Sequence, residues 1–202
     1  MSPTAQLVVM AKRPQLGLVK TRLASGIGAV EATRFFRRTV FGLLRRVAAD
    51  PRWQTVLALA PDGAIHDDGI WPHDIPRIAQ GSGDLGARMG RLMRDLPQGP
   101  VVIVGGDIPD IAAAHIADAF RKLRSADVVF GPADDGGYWL VGMRRHPRVR
   151  DIFGDVRWSS EYALADTQAN AALARLTSAH IATLSDIDTA EDYAYWRARR
   201  AR

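Results

Sequence analysis

Cysteine is absent from all 202 residues, and that absence excludes disulfides, thiolate metal sites and cysteine nucleophiles together. Long apolar runs are missing too: no window approaches the roughly 18 uninterrupted apolar residues of a membrane span. The opening MSPTAQLVVMAKRP has no basic region ahead of a short apolar stretch, so a secretory signal is not expected. A cytoplasmic location fits both features. There is no internal repeat, no low-complexity segment and no linker rich in Pro, Gly or Ser, so residues 1–202 are expected to form one domain.

Familiar catalytic and binding signatures are missing as well. Counting back from Lys20 and Thr21, the glycines of a phosphate-binding P-loop would fall on Val19 and Pro14, so that chemistry is rejected. No GxGxxG, HExxH, GxSxG or zinc-finger spacing occurs, and the five histidines show no ligand pattern. Charge of neither sign is scarce. Lys and Arg number 27 against 22 Asp and Glu, a net +5. Much of the excess lies in RFFRR, LLRR, MRRHPRVR and the terminal WRARRAR, where arginines alternate with apolar residues as on solvated helix faces, with residues 197–202 as a basic, frayed tail. No RNA-binding aromatic signature accompanies them, so a nucleic-acid partner is not expected.

What is present alternates between two periods. β-Rich runs occur at residues 7–11, 55–60, 77–79, 101–104, 127–131, 138–143 and 180–184. Between them, helical spacing predicts helices over residues 28–50, 81–96, 110–125, 159–176 and 189–200. Asp84 or Ser82, Asp110, a serine near 159, and Thr189 with Asp192 are the expected N-caps. The alternation argues for a mainly parallel α/β sheet covered on both faces.

In such a sheet, ligands bind beyond the carboxyl ends of the strands. Behind the first strand come Lys12, Arg13, Lys20, Thr21 and Arg22. Behind VVIV (101–104) comes Asp107, behind DVVFG come Asp134 and Asp135, and behind HIATL come Asp186 and Asp188. Cations would neutralise a phosphate, and hard carboxylates would hold Mg²⁺ or Mn²⁺. Each feature also has a plainer reading. The loop KRPQLGLVKTRL can be a solvated cationic loop. Asp107 can cap a helix, although Asp110 is better placed to do so, which leaves Asp107 for a ligand. Asp135-Gly136-Gly137-Tyr138 can be a simple turn. Gln80-Gly81-Ser82-Gly83-Asp84 can be a capped loop or an anion site at a helix start. For Asp186 and Asp188, a structural role ranks ahead of a metal role.

Several segments then coincide in order. AKRPQLGLVKTRL, GSGDLGARM, GGDIPDI, GPADDGGYWLVG, VRWSS and LSDIDTAEDY resemble the motifs of a bacterial family of small glycosyltransferase-like proteins, described as nucleotide-diphospho-sugar transferase-like or radical-SAM/selenodomain-associated transferases. The resemblance runs from about residue 6 to about residue 195. It implies a single-domain α/β/α sandwich of the GT-A type with a mainly parallel, mixed sheet, related to molybdenum-cofactor and phospholactate guanylyltransferases. It implies that Lys12, Lys20 and Arg22 contact the nucleotide phosphates and that Gln80, Gly81, Asp84 and Arg88 line the nucleotide pocket. Asp107 would hold Mg²⁺ or Mn²⁺, with Asp188 or Asp186 as a second contact. Asp135, Gly136, Gly137 and Tyr138 would form the acceptor side, with Trp158 and Ser159 nearby and Asp135 positioning or deprotonating the acceptor. Where the family usually carries Gly-Thr-Asp-Cys-Pro, this chain has Gly105-Gly106-Asp107-Ile108-Pro109 and lacks the hydroxyl at 106. The expected activity is metal-dependent transfer from a nucleotide sugar to a small-molecule acceptor. Nucleotidyl transfer from an NTP with release of pyrophosphate is the alternative.

Overall fold

The central strand is apolar nearly throughout because both of its faces are covered. β1 (Gln6–Lys12) buries Leu7, Val8 and Val9 completely, as a strand must when helices pack on each side of a parallel sheet. The structure, a computed structural model, describes residues 4–200. β1 is flanked in parallel by β2 (Gln54–Ala60) and β4 (Val101–Gly105), with Gln6 opposite both Gln54 and Val101. β3 (Arg77–Ala79) extends the sheet beyond β2. On the other side β6 (Tyr138–Met143) runs antiparallel between β4 and β5 (Val128–Pro132), and β7 (Ser178–His180) forms the far edge. The order is β3-β2-β1-β4-β6-β5-β7. It is a single-domain α/β fold with a mostly parallel, mixed sheet, as expected.

Alternate residues of each strand feed two cores. Leu7 and Val9 of β1, with Leu57, Leu59, Val102 and Val104, face α2 (Ala29–Val47) and α4 (Ala113–Lys122). Val8, Ala58, Val101, Ile103 and Phe130 face α3 (Leu85–Asp95) and α5 (Ala163–Leu173). A smaller cluster of Leu23, Ala32, Phe35 and Ile187 joins α1 (Thr21–Ile27) and α2 to the last helix, α6 (Ala190–Arg200). No helix among the described residues is long and apolar enough to cross a membrane.

Five local expectations are corrected. The loop after β1 ends in α1, whose N-cap Lys20 is left-handed and makes no side-chain cap. HIATL contributes only its first residue to β7. β5 is irregular at Gly131/Pro132, and Pro132 has no N–H to continue the ladder, so the chain drifts to one further bridge between Ala133 and Leu184. Asp110 caps nothing: fully buried Ile111 draws the chain inward, α4 starts at Ala113, and His115 Nδ1 accepts the Ala112 N–H at 3.2 Å. The helix expected over 159–176 begins at Ala163, because Ser160 spends its side chain on Arg157 O and on the Tyr162 N–H. The expected basic tail is helical through Arg200, and residues 201–202 lie outside the described residues. The other caps form as expected: Asp84 accepts the Ala87 N–H at 2.8 Å, and Thr189 and Asp192 cap each other reciprocally.

Candidate active site

β1 has β2 on one side and β4 on the other, and the β1–β4 boundary is where a doubly wound sheet opens a crevice at its carboxyl edge. The chain brings Lys20, Asp107, Asp186 and Asp188 to that edge. Lys20 Nζ lies 3.0 Å from Asp107 Oδ2, 2.7 Å from Asp186 Oδ1 and 2.8 Å from Asp188 Oδ1. The ammonium donates hydrogen bonds to Asp186 and Asp188 and forms an ion pair with Asp107. The lysine side chain is only 4% exposed, against 36% for Asp107. Burial alone would lower its pKa, but the charges of Asp107 and Asp186 and the hydrogen bonds to Asp186 and Asp188 together outweigh burial and hold it above the ordinary lysine value. Asp186 moves the other way. Desolvation and then the charge of Asp107 push its pKa up to about 6, against the pull of Lys20.

The premise that frees Asp107 because Asp110 caps a helix therefore fails, while the aspartate itself enters an ion cluster. Gly106 donates its N–H to Met10 O at 2.8 Å, and a Cβ there would stand 3.1 Å from that oxygen. The missing hydroxyl at 106 is thus accompanied by close contact between β4 and β1.

Two cavities meet at this cluster. One, of about 340 Å³, is lined by Lys12, Lys20, Gln80, Arg88, Gly105, Gly106, Asp107 and Tyr138, with Phe36, Leu85 and Met89 as apolar wall. Gln80 is fixed there as a strut, donating to Ala11 O and Ala58 O, and Arg88 Nε donates to Gly83 O. Gly81 and Asp84 belong to the adjoining loop, where Asp62 accepts the Gly81 N–H and Asp84 caps α3, and neither lines the cavity. The second cavity, of about 450 Å³, holds Asp110, Asp134, Asp135, Asp186, Asp188 and Asp192, with Arg22, Arg199, Tyr195 and Trp196. Arg22 pairs with Asp188 on this side and does not reach the first cavity. Six carboxylates face two guanidiniums, so the lining carries a net charge of −4.

The residues expected around the acceptor separate. Asp135 is exposed, lines the second cavity and accepts its own loop's Gly137 N–H at 2.9 Å. Gly136, at φ 82°, is pressed against the Glu161 backbone. Tyr138 lines the first cavity and is partly buried, its hydroxyl 3.4 Å from Thr167 Oγ1, and desolvation raises its pKa. Trp158 packs edge-on against Tyr138 within the α3–α5 core, and exposed Ser159 lines neither cavity. Sequence reasoning missed Tyr195 and Arg199. An aromatic and a cation four residues apart on the last helix were the available signal, one that surface helices commonly show.

Among the described residues no group of three or more His, Asp or Glu is arranged to hold a metal, and Lys20 Nζ stands among Asp107, Asp186 and Asp188. The donor set nevertheless fits a hard cation. Asp107, Asp186 and Asp188 present carboxylate oxygens to one point, and the lysine and Arg22 offset only two of their three charges.

With this geometry in view, the fold class is that of the nucleotide-diphospho-sugar transferases. Over its full length the chain is 27% identical to a candidate nucleotide-diphospho-sugar transferase from Desulfovibrio desulfuricans G20, covering 96% of that chain with a TM-score of 0.84. It shares the fold of 4-diphosphocytidyl-2C-methyl-D-erythritol synthase from Anaerococcus prevotii DSM 20548, at 13% identity, 99% coverage of both chains and TM-score 0.64. It shares it also with glucosyl-3-phosphoglycerate synthase of Mycobacterium tuberculosis, solved with Mg²⁺ and UDP, at 9% identity, 98% coverage of this chain, 76% of that one and TM-score 0.58. Residues 43–160 match the model of the family described as "Uncharacterized protein conserved in bacteria (DUF2064)", and the chain belongs to that family. Comparison with curated proteins finds no match.

Proposed function

We propose that this protein is a metal-dependent glycosyltransferase that takes a nucleoside-diphosphate sugar in the smaller cavity and an uncharged, hydroxyl-bearing acceptor in the acidic one. The observation that carries the reading is the Lys20–Asp107–Asp186–Asp188 cluster standing between the two cavities. A diphosphate needs cations beside it, and Lys12, Lys20 and Arg88 all line the smaller cavity. The apolar wall of Phe36, Leu85 and Met89 gives a base a surface to lie on, and Gly105 and Gly106 also line the cavity.

Asp107, with Asp186 and Asp188, would hold Mg²⁺ or Mn²⁺, whose chemistry there is to offset charge on the departing diphosphate. Lys20 adds positive charge at the same place and stays protonated at every physiological pH. Asp135 faces the acceptor cavity from a loop whose backbone already fixes its carboxylate, and is the group to orient or deprotonate an acceptor hydroxyl. The net negative lining, which Lys20 and Arg22 offset only in part, favours that acceptor over a phosphorylated one. That charge is the reason sugar transfer is preferred here to nucleotidyl transfer onto a phosphate. A cytoplasmic location and kinship with radical-SAM/selenodomain-associated transferases belong to the same proposal.

The test is calorimetric binding of UDP, GDP and their sugars with Mn²⁺. Wild type is expected to bind at least one, and Asp107→Ala to lose roughly tenfold or more of the metal-dependent affinity. Unchanged affinity in the mutant would remove Asp107 from the site. Pyrophosphate released from an NTP by the wild type would instead establish nucleotidyl transfer.

A further inference from the structure

Where a divalent cation would sit among Asp107, Asp186 and Asp188, the ammonium of Lys20 already sits. It contacts all three at 2.7–3.0 Å and its side chain is 4% exposed. The same residue lines the donor cavity. We propose that Lys20 makes metal binding conditional on the donor: the ammonium holds the three carboxylates closed, and a diphosphate in the cavity draws it away so that a divalent cation can enter. The inference rests on the reading that this site takes a metal and a nucleoside diphosphate.

Charge and space together force the exchange. Two cations cannot share one set of oxygens at contact distance, so the metal enters only as the ammonium leaves. A buried ammonium leaves two hydrogen bonds and a third ion pair only for an acceptor of equal strength, and the phosphates of a donor are such acceptors. Lysine is suited to such a move because its charge is compact and its four-carbon stem flexible, so the head can turn from one anion to the other while the backbone stays put. Donor and metal then bind with positive coupling, and linkage makes the effect reciprocal. A lysine that served only to contact phosphate would need no carboxylate partners, and one that served only the fold would not line the donor cavity.

The experiment is Mn²⁺ titration followed by electron paramagnetic resonance, on wild type and Lys20→Met, with and without UDP, GDP, CDP and ADP in turn. Wild type should bind Mn²⁺ weakly alone and roughly 5- to 150-fold more tightly with the cognate diphosphate, the range usual for coupled sites. Lys20→Met should bind Mn²⁺ alone at least roughly tenfold more tightly than wild type, because its carboxylates have lost their resident cation. Circular dichroism checks that the variant folds. Should it not, Lys20→Gln, which keeps a polar head among the three carboxylates without the charge, carries the same expectation. If wild type gains Mn²⁺ affinity with nucleotide but Lys20→Met binds Mn²⁺ alone no more tightly than wild type, Lys20 is not the gate. If wild type binds Mn²⁺ neither alone nor with any diphosphate, the metal-and-donor reading falls, and this inference with it.

Discussion

Lys20 holds φ 47° and ψ 50°, a left-handed conformation that ordinarily costs a non-glycine residue about 1–2 kcal/mol. Its three ion pairs stand against that cost, so the backbone is bent to deliver one amine to one place. Asp186 shows the other side of the cluster. Its pKa, pushed up to about 6 by burial and then by Asp107, exceeds its unfolded value, so the folded state binds more protons between pH 4 and 6. Its contribution to stability is therefore full below about pH 4 and declines as pH rises through 6. In metal-free protein, Asp186→Asn should remove that decline. The melting temperature of the variant relative to wild type is expected to rise as pH goes from 4 to 7. A difference independent of pH would show that Asp186 ionises normally.

At the scale of elements, the cluster is held by the packing of α1 on α6. Gly26 of α1 faces Ala190 of α6 so closely that a Cβ on Gly26 would lie 2.6 Å from the Ala190 Cβ. Gly26→Ala should cost about 1–3 kcal/mol through overpacking. It should also weaken donor binding more than a remote variant of equal stability cost, since α1 begins beside Lys20 and α6 follows Asp188. Denaturant melts and nucleotide titration read the two effects separately, and full affinity in the destabilised variant would disconnect the helix contact from the site. This contact marks a limit of what sequence shows. The strands were legible because buried parallel strands must be apolar on both faces, as in VVIV and LVVMA, and α2 and α3 because their apolar residues recur at helical spacing. α1 was not: seven residues opened by an uncapped, left-handed lysine carry neither a start signal nor enough length for a period. β7 was misplaced because irregularity in its partner, not its own residues, ends the pairing. That cations and acids gather behind different strands could be read from order alone, but the Lys20–Asp186 pair spans 166 residues and no local pattern records it. Likewise the resemblance places Trp158 near Tyr138 on the acceptor side, whereas Trp158 packs against Tyr138 within the α3–α5 core.

Taken as a whole, the molecule carries +5 but turns a negative face to the proposed acceptor cavity, because many arginines work elsewhere. At the opposite end of the sheet, Arg52, Arg121 and Arg144 pair with Asp50, Asp118 and Asp127. The proposed donor cavity, by contrast, is lined by the ends of β1 and β4, the strands at the middle of the sheet, and both cores reach it. A ligand there binds the native arrangement and has nothing comparable to hold in the unfolded chain, so it should stabilise the entire domain. At a hundredfold excess over its dissociation constant that stabilisation is about 2.7 kcal/mol, and a domain of this length gains about 2–4 °C for each kcal/mol. A nucleoside diphosphate sugar with Mn²⁺ should therefore raise the melting temperature by about 5–10 °C, with Mn²⁺ alone giving far less because Lys20 occupies its place. Asp107→Ala should abolish the extra shift due to Mn²⁺ while keeping a smaller one from the nucleotide, since Lys12 and Arg88 remain. Equal shifts with and without metal in wild type would mean that the three carboxylates serve Lys20 alone, and the donor would then be held by cationic side chains without a divalent ion.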